Sequence, residues 1–132
     1  MTTVGTGLRV SVQRRPAPVP AIRVTAPGTA KVARMVTEIA EISVSSESAE
    51  DFPAAFERAC THLSGAAGFR GAQLTRSIET PLRFILMVQW DTLADHTEGF
   101  RRSPAFARWR EVVGPFFAEP PRVEHVQVVC RA

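Results

Sequence analysis

The chain has little that would mark it as a secreted, membrane-embedded or metal-binding protein. Its two cysteines, Cys60 and Cys130, do not make the disulfide framework of a small secreted domain. No apolar run approaches the roughly 18–20 residues that a membrane helix needs. The three histidines lack the short spacing of metal ligands. There is no glycine-rich phosphate loop, since Gly65 and Gly68 precede a strand pattern rather than a helix. We therefore expect a cytoplasmic protein with no membrane partner, no metal and no cofactor.

Charge is distributed unevenly along the 132 residues, whose formal net charge is +3. Residues 1–34 contain six basic side chains and no acidic ones, whereas residues 35–132 contain ten basic and thirteen acidic side chains. A nucleic-acid-binding domain would need a patterned basic face on its folded part, and the acidic balance of residues 35–132 excludes this class. We expect no nucleic-acid partner.

The first 34 residues form a basic extension that is rich in proline, with Pro16, Pro18, Pro20 and Pro27. This spacing favours extended chain over a packed core, so residues 1–34 are predicted to be a flexible arm. An alternative is that the natural protein begins at Met35. In both cases the sequence predicts one folded domain at residues 35–132, which is long enough for a single core.

The periodicity from Met35 onward predicts a regular order of strands and helices. Alternating residues from Val36 to Val44 are typical of a strand, and Phe52, Phe56 and Leu63 recur at helical spacing before Gly65. The later elements are a hairpin of strands at residues 69–78 and 82–91, helices at residues 92–100 and 104–113, and a last strand at residues 123–130. This strand–helix–strand–strand–helix–strand order predicts an α+β, ferredoxin-like βαββαβ fold with an antiparallel sheet and helices on one face.

The third predicted strand has two apolar faces. One carries Leu82, Phe84, Leu86, Val88 and Trp90, which we expect to meet the helices. The other carries Ile85 and Met87 between polar residues, and this is too apolar for a surface exposed to water. Because so short a chain has no further element to cover this face, the sequence predicts a homodimer that packs sheet against sheet.

Several of these features together resemble the antibiotic biosynthesis monooxygenase family of dimeric α+β barrels. They are the element order, the tryptophan at the end of the third strand, the segment SPAFARWREVVGPFF and the closing PPRVEHV. The resemblance covers about Met35 to Val129. It implies a homodimer with a pocket between sheet and helices in each subunit. Some members, the anthrone oxygenases, oxidise a phenolic ring with O2 and no metal, flavin or haem, whereas others degrade haem.

The resemblance also assigns candidate site residues. A pocket tryptophan of the anthrone oxygenases falls on Trp90, a pocket tyrosine on His96 and a pocket arginine on Arg110. An asparagine of their third strand falls on Leu86, which cannot form a hydrogen bond. The haem-degrading members carry a haem-ligating histidine near the position of Arg110, and no histidine stands there in this sequence. The resemblance therefore favours the oxygenase branch over haem binding.

The chemistry of such an oxygenase assigns roles to these residues. The protein must remove a proton from the substrate, stabilise the resulting anion and keep water away. His96 is the candidate base because an unperturbed histidine has a pKa near ~6.5, and Arg110 is the candidate partner of the anion. The candidate substrate-binding residues are Trp90, Leu86, Phe100, Phe106 and Trp109.

Each assignment has a purely structural alternative. His96 would be a half-buried histidine bonded to the backbone, and Arg110 would pair with Glu111 or Asp95 at the surface. The aromatic residues would be core. His125 on the last strand would reach either the pocket or the dimer interface.

The leading hypothesis is a cofactor-independent monooxygenase that oxidises an aromatic, polyketide-like substrate. A cyclase or isomerase that uses the same pocket without O2 is the first alternative, and the loss of the asparagine at Leu86 favours it. The second alternative is a non-catalytic ligand-binding accessory protein. Function cannot be read from the fold alone because one fold hosts many activities.

Overall fold

The computed structural model describes residues 34–132, so the predicted arm at residues 1–34 lies outside the described part apart from Arg34. Four strands and two α-helices make up this part, together with a π-helical segment and a short 3₁₀ turn. They are β1 (Val36–Ser43), α1 (Phe52–Ser64), β2 (Phe69–Arg76), β3 (Arg83–Trp90), the π-helical segment (Asp95–Phe100), α2 (Pro104–Val113), the 3₁₀ turn (Gly114–Phe116) and β4 (Arg122–Val126).

The strands form one antiparallel sheet in the order β2-β3-β1-β4. This order confirms the α+β, ferredoxin-like βαββαβ fold. The hairpin of β2 and β3 was also predicted correctly. The last strand is shorter than predicted because Val126 already pairs with Thr37, next to the first residue of β1. Beyond this point β1 offers no further backbone partner, and the prediction of a strand up to Cys130 was wrong.

One face of the sheet is covered by the helices and forms the core. Alternate residues of β1 and β3 are buried on this face, and they pack with the buried side of α1 and with Trp109 and Val113 of α2. The core residues of β3 are Phe84, Leu86, Val88 and Trp90, as the apolar pattern predicted. Leu82 precedes β3 and is 40% exposed, so its predicted place on the core face was wrong. We call this face the covered face and the opposite one the open face.

The segment between β3 and α2 is a π-helix rather than the α-helix that the sequence predicted. Its wide turn is closed by the backbone N–H of Arg101, which donates to the carbonyl oxygen of His96 at 2.9 Å. Such segments are frequent at functional sites because the extra residue per turn redirects side chains. Here His96 and Phe100 are both buried against the covered face.

Two local features fix the ends of this segment. Gly68 has a φ of 83°, and a Cβ atom there would lie 2.2 Å from Oδ2 of Asp95, so only glycine lets the segment pack this closely. Ser103 caps α2, since its Oγ accepts a hydrogen bond from the backbone N–H of Phe106 at 3.3 Å. Pro104 then occupies the first helical position, as predicted. No helix in residues 34–132 is long and apolar enough to cross a membrane.

Candidate functional site

A pocket of about 460 Å³ opens between the covered face, α2 and the loop that leads to β4. Such a volume suits a small organic ligand. Most of its wall is apolar, and a few titratable groups interrupt it. The lining residues are Glu38, Ala40, Ile42, His96, Arg101, Phe106, Trp109, Arg110, Phe117, Pro120, Pro121 and Val123.

Glu38 places a carboxyl group on the inner wall of this pocket. It lies on the covered face of β1, between apolar neighbours, and is only 7% exposed. Its Oε1 accepts a hydrogen bond from Nε1 of Trp90 at 3.0 Å and lies 3.3 Å from Nε2 of His96. A buried carboxyl group needs such partners, because an unpaired one would strongly destabilise the fold.

His96 continues this contact to a second histidine. Its Nδ1 lies 2.8 Å from Nε2 of His125, which β4 places directly opposite Glu38 on β1. The Trp90 ring stacks on the His96 ring, with centroids 5.2 Å apart and planes inclined by 19°. Glu38, His96 and His125 therefore form one row of hydrogen-bonding groups, which we call the Glu–His–His row.

Burial shifts the proton equilibria of the whole row towards neutral groups. Burial raises the pKa of Glu38, although the Trp90 hydrogen bond and the charge of Arg101 act in the opposite direction. Burial also lowers the pKa of His96 to about 4, with Arg101 and His125 contributing in the same sense. The pKa of His125 is lowered by burial and by Arg101. The Glu38–His96 contact is thus a close approach of two polar groups in a poorly solvated site, and with a pKa of about 4 His96 is neutral at pH 7.

Two guanidinium groups give the pocket its positive charge. That of Arg110 lies over the rings of Phe106 and Phe117, at 5.8 and 5.7 Å from their centroids. Arg101 lines the same pocket. Within residues 34–132 neither arginine forms an ion pair with a carboxylate, so the surface pairing of Arg110 with Glu111 or Asp95 is not seen there. A pocket with two cations of this kind favours an anionic or polarisable aromatic ligand.

The residues predicted for the site divide into two groups. His96, Arg110, Phe106 and Trp109 line the pocket. Trp90, Leu86 and Phe100 instead lie in the core behind this wall, with exposed fractions of 0%, 1% and 4%. Trp90 does not line the pocket, but it stacks on the His96 ring and donates a hydrogen bond to Glu38, and so holds both side chains in place.

Two residues of the site, Glu38 and Arg101, were not predicted, and the sequence left His125 open between the pocket and the dimer interface. A signal for Glu38 was present, since it is the one charged residue among the alternate apolar positions of β1. His125 could not be placed because the pairing of β1 with β4 joins segments far apart in sequence. Within residues 34–132 no group of three or more His, Cys, Asp or Glu side chains is arranged to hold a metal ion.

Comparisons with known proteins agree with this fold. A model of the antibiotic biosynthesis monooxygenase family matches residues 35–112. The uncharacterized Bacillus subtilis protein YczJ is 36% identical over 95 residues, which are 72% of this chain and all of YczJ. A crystal structure of a Bordetella bronchiseptica protein assigned to the antibiotic biosynthesis monooxygenases is 44% identical, with a TM-score of 0.71 over 73% of this chain and 98% of that one.

A more distant structure shares the fold. It is a mutant of SnoaB, a cofactor-independent oxygenase from Streptomyces nogalater, which is 17% identical with a TM-score of 0.58. It covers 76% of this chain and 96% of that one. At this level of identity the likeness concerns the arrangement of strands and helices and not the reaction.

Proposed function

The chain belongs to the antibiotic biosynthesis monooxygenase family, and from this premise we propose that it is a cofactor-independent monooxygenase. Its substrate is an aromatic, polyketide-like phenol or anthrone, which it oxidises with O2 in secondary metabolism. The observation that carries the proposal is the combination, in one apolar pocket, of a neutral buried histidine, a buried carboxyl group and two guanidinium groups that form no ion pair within residues 34–132.

This combination suits the formation of a carbanion or phenolate. A proton leaves the substrate for the Glu38–His96 pair, and the negative charge that remains is stabilised by Arg110 and Arg101. The electron-rich anion can then give an electron to O2, which a neutral phenol does far less readily. SnoaB, which shares the fold, is described as a cofactor-independent oxygenase, and this supports a reaction without a metal or flavin.

The aromatic wall gives the pocket its shape preference. Phe106 and Trp109 lie nearly parallel, with ring centroids 6.1 Å apart and planes inclined by 20°. Together with Phe117 they offer flat apolar surface against which a planar ring system can stack. The same surface excludes water from the reactive anion, and a site with little water strengthens every charge interaction within it.

One observation supports a second candidate. Leu86, at the position where the anthrone oxygenases carry an asparagine, is buried in the core and offers no hydrogen bond. A cyclase or isomerase needs the base and the cations but not O2, so the same pocket would serve that reaction. A non-catalytic accessory protein would use only the ligand-binding surface.

We also propose that the protein is a homodimer formed through the open face. Ile39, Ile85 and Met87 lie on this face and are half-buried even in the single chain. A second copy would cover them without any further element of the chain. Light scattering at micromolar concentration tests this, and a monomer would contradict it. The free thiols of Cys60 and Cys130 suit the reducing cytoplasm in which we place the protein.

Oxygen consumption with dithranol, a dihydroxyanthrone, tests the oxygenase proposal. We expect uptake above the uncatalysed rate in the wild type and a loss of about 10²-fold or more in His96→Ala and Arg110→Ala. Arg83→Ala on the open face is the matched control and should keep the wild-type rate. Tight binding of dithranol without oxygen uptake would favour the second candidate, and equal rates in all four proteins would contradict the site.

A further inference from the structure

His96 has no ring nitrogen left for a substrate. Its Nε2 is occupied by Glu38 at 3.3 Å and its Nδ1 by His125 at 2.8 Å. A neutral imidazole has one N–H and one lone pair, so contacts at both ring nitrogens engage both of these groups. To take a proton from a ligand directly, His96 would have to break one of these contacts, in a site where an unsatisfied polar group is costly.

Glu38, in contrast, has one oxygen free for a ligand. The hydrogen bond from Nε1 of Trp90 and the close contact with Nε2 of His96 both involve Oε1. Oε2 has no hydrogen-bond partner among residues 34–132, and Glu38 belongs to the pocket wall. A carboxylate held on one oxygen by the Trp90 N–H and bounded there by His96 presents the lone pairs of its other oxygen in a fixed direction.

We propose that Glu38 is the catalytic base of this pocket and that His96 and His125 are positioning residues. This inference rests on the proposed function and names the group that touches the substrate. A C–H or O–H bond of the substrate breaks, a new O–H bond forms at Oε2 of Glu38, and the electron pair stays on the substrate as an enolate or phenolate. O2 then adds to the carbon of an anthrone-type anion, and the proton on Glu38 passes to the outer oxygen of the peroxide that forms. Loss of the second C–H proton breaks the O–O bond, so that one oxygen stays as a ketone and the other leaves as water.

The two histidines hold this base by fixing each other's tautomers. A proton on Nε2 of His96 donates to Glu38, which leaves Nδ1 as the acceptor for Nε2–H of His125. The pairing of Glu38 on β1 with His125 on β4 places the backbones of both ends of the row opposite each other. This arrangement resembles the way in which a second group orients a catalytic side chain without touching the substrate.

The dependence of the proton-abstraction rate on pH should reflect the ionisation of Glu38. The charged and titratable groups around it are His96 of the π-helical segment, Arg101 that follows it, Arg110 of α2 and His125 of β4. Because the base must be ionised to act, the rate should rise with pH through the raised pKa of Glu38 and stay high above it. His96, whose pKa is lowered to about 4, would become protonated only at the acid end of this pH range.

Proton abstraction can be measured without oxidation. Under nitrogen in D2O, the enzyme should exchange the methylene hydrogens of dithranol for deuterium, and proton NMR follows the loss of signal above the uncatalysed rate. The variants are Glu38→Gln, which keeps size but accepts no proton, and His96→Gln, whose amide can still donate to Oε1. Glu41→Gln is the matched control, because Glu41 lies on the same strand but on the open face.

We expect Glu38→Gln to lose at least about 100-fold in the exchange rate. His96→Gln should lose about tenfold or less and keep the pH dependence, because only one hydrogen bond is weakened. Glu41→Gln should match the wild type. If Glu38→Gln fails to fold, as judged by circular dichroism, Glu38→Asp replaces it and should lower the rate by withdrawing the carboxylate from the substrate.

Three results would overturn the proposal: wild-type exchange at the background rate, exchange by Glu38→Gln at the wild-type rate, or a larger loss in His96→Gln than in Glu38→Gln. Failure of the oxygenase proposal is distinguishable. Exchange that depends on Glu38 without any oxygen uptake would support Glu38 as the base and contradict the monooxygenase.

Discussion

Glu38 and Glu41 lie on the same strand but face opposite sides of the sheet, and their surroundings differ accordingly. Glu38 is buried on the covered face, where burial raises its pKa. Glu41 lies on the open face, where a hydrogen bond from Arg83 lowers its pKa and Arg122 adds a weaker effect. The same residue type is thus a potential proton acceptor on one face and a permanent anion in a surface ion pair on the other. The comparison shows that environment, not residue type, decides which carboxyl group can do chemistry.

The two faces also differ in how they use cations. On the open face Arg83 and Arg122 neutralise Glu41. On the covered side Arg101 and Arg110 point at a pocket without a carboxylate partner in the described residues, and the charge remains for a ligand. Surface ion pairs of the first kind contribute little to stability. Cations of the second kind keep their charge available for an anionic ligand, as is typical of binding sites.

The largest expected difference between the two faces is in how much an alanine substitution lowers the free energy of unfolding. Leu86 and Ile85 are neighbours on β3, with Leu86 in the core and Ile85 on the open face. We expect Leu86→Ala to destabilise the fold by about 2–5 kcal/mol, because it leaves a cavity in a packed core. Ile85→Ala should destabilise a dilute sample by about 1 kcal/mol. Urea unfolding measures both.

A second use of the same pair tests the dimer. If a second copy covers the open face, the effect of Ile85→Ala should grow with protein concentration, whereas that of Leu86→Ala should not. If both variants lower the unfolding free energy equally at all concentrations, the proposal that a second copy covers the open face is contradicted.

The next effect is the loss of stability in acid that comes from His96. The pKa of His96 in the fold is about 4, below the ordinary value of 6.5, so the unfolded chain binds its proton first. The neutral form stabilises the fold above pH 6.5, and this contribution should be lost as the pH falls from 6.5 towards 4, to a total of about 3 kcal/mol. The difference in unfolding free energy between wild type and His96→Gln isolates it.

His62→Gln is the control for this measurement, because His62 lies at the end of α1, outside the Glu–His–His row. The control should follow the wild-type dependence on pH. A wild type and a His96→Gln variant with the same acid dependence would show that His96 is not held neutral by burial.

The smallest of the three effects concerns ligand affinity. Arg110→Ala should weaken the binding of alizarin, a dihydroxyanthraquinone, by about tenfold through the loss of one charge-assisted hydrogen bond. Arg83→Ala, which removes a cation from the open face, should leave the affinity unchanged. Absorbance titration at low ionic strength measures both dissociation constants. A larger loss of affinity in Arg83→Ala than in Arg110→Ala would indicate that the ligand binds at the open face, contrary to the proposal.

Local patterns predicted the fold well. The alternation in β1 and β3, the helical spacing of Phe52, Phe56 and Leu63 and the Ser103–Pro104 start of α2 each reflect the nearest neighbours along the chain. The same patterns could not distinguish an α-helix from the π-helical segment, because one additional residue per turn hardly changes the spacing of apolar residues over six positions.

The candidate site was harder to predict because its parts come from four separate segments. Resemblance to the family led to His96 and Arg110, which do line the pocket, but also to Trp90 and Leu86, which lie behind it. Neither local spacing nor the resemblance led to His125, since its contact with His96 depends on the register of the edge strand β4. The raised pKa of Glu38 depends on burial, which only the tertiary packing decides.

The most direct test of the account is the titration of Glu38 and Glu41 in one sample, followed by carbon NMR of the side-chain carboxyl groups. The account predicts that Glu38 titrates above the ordinary value of 4.5 and Glu41 below it. The Glu38→Gln and Glu41→Gln variants each remove one signal and so assign the two. A Glu38 that titrates below 4.5, together with Glu41, would contradict the claim that the covered face holds a proton-accepting carboxyl group.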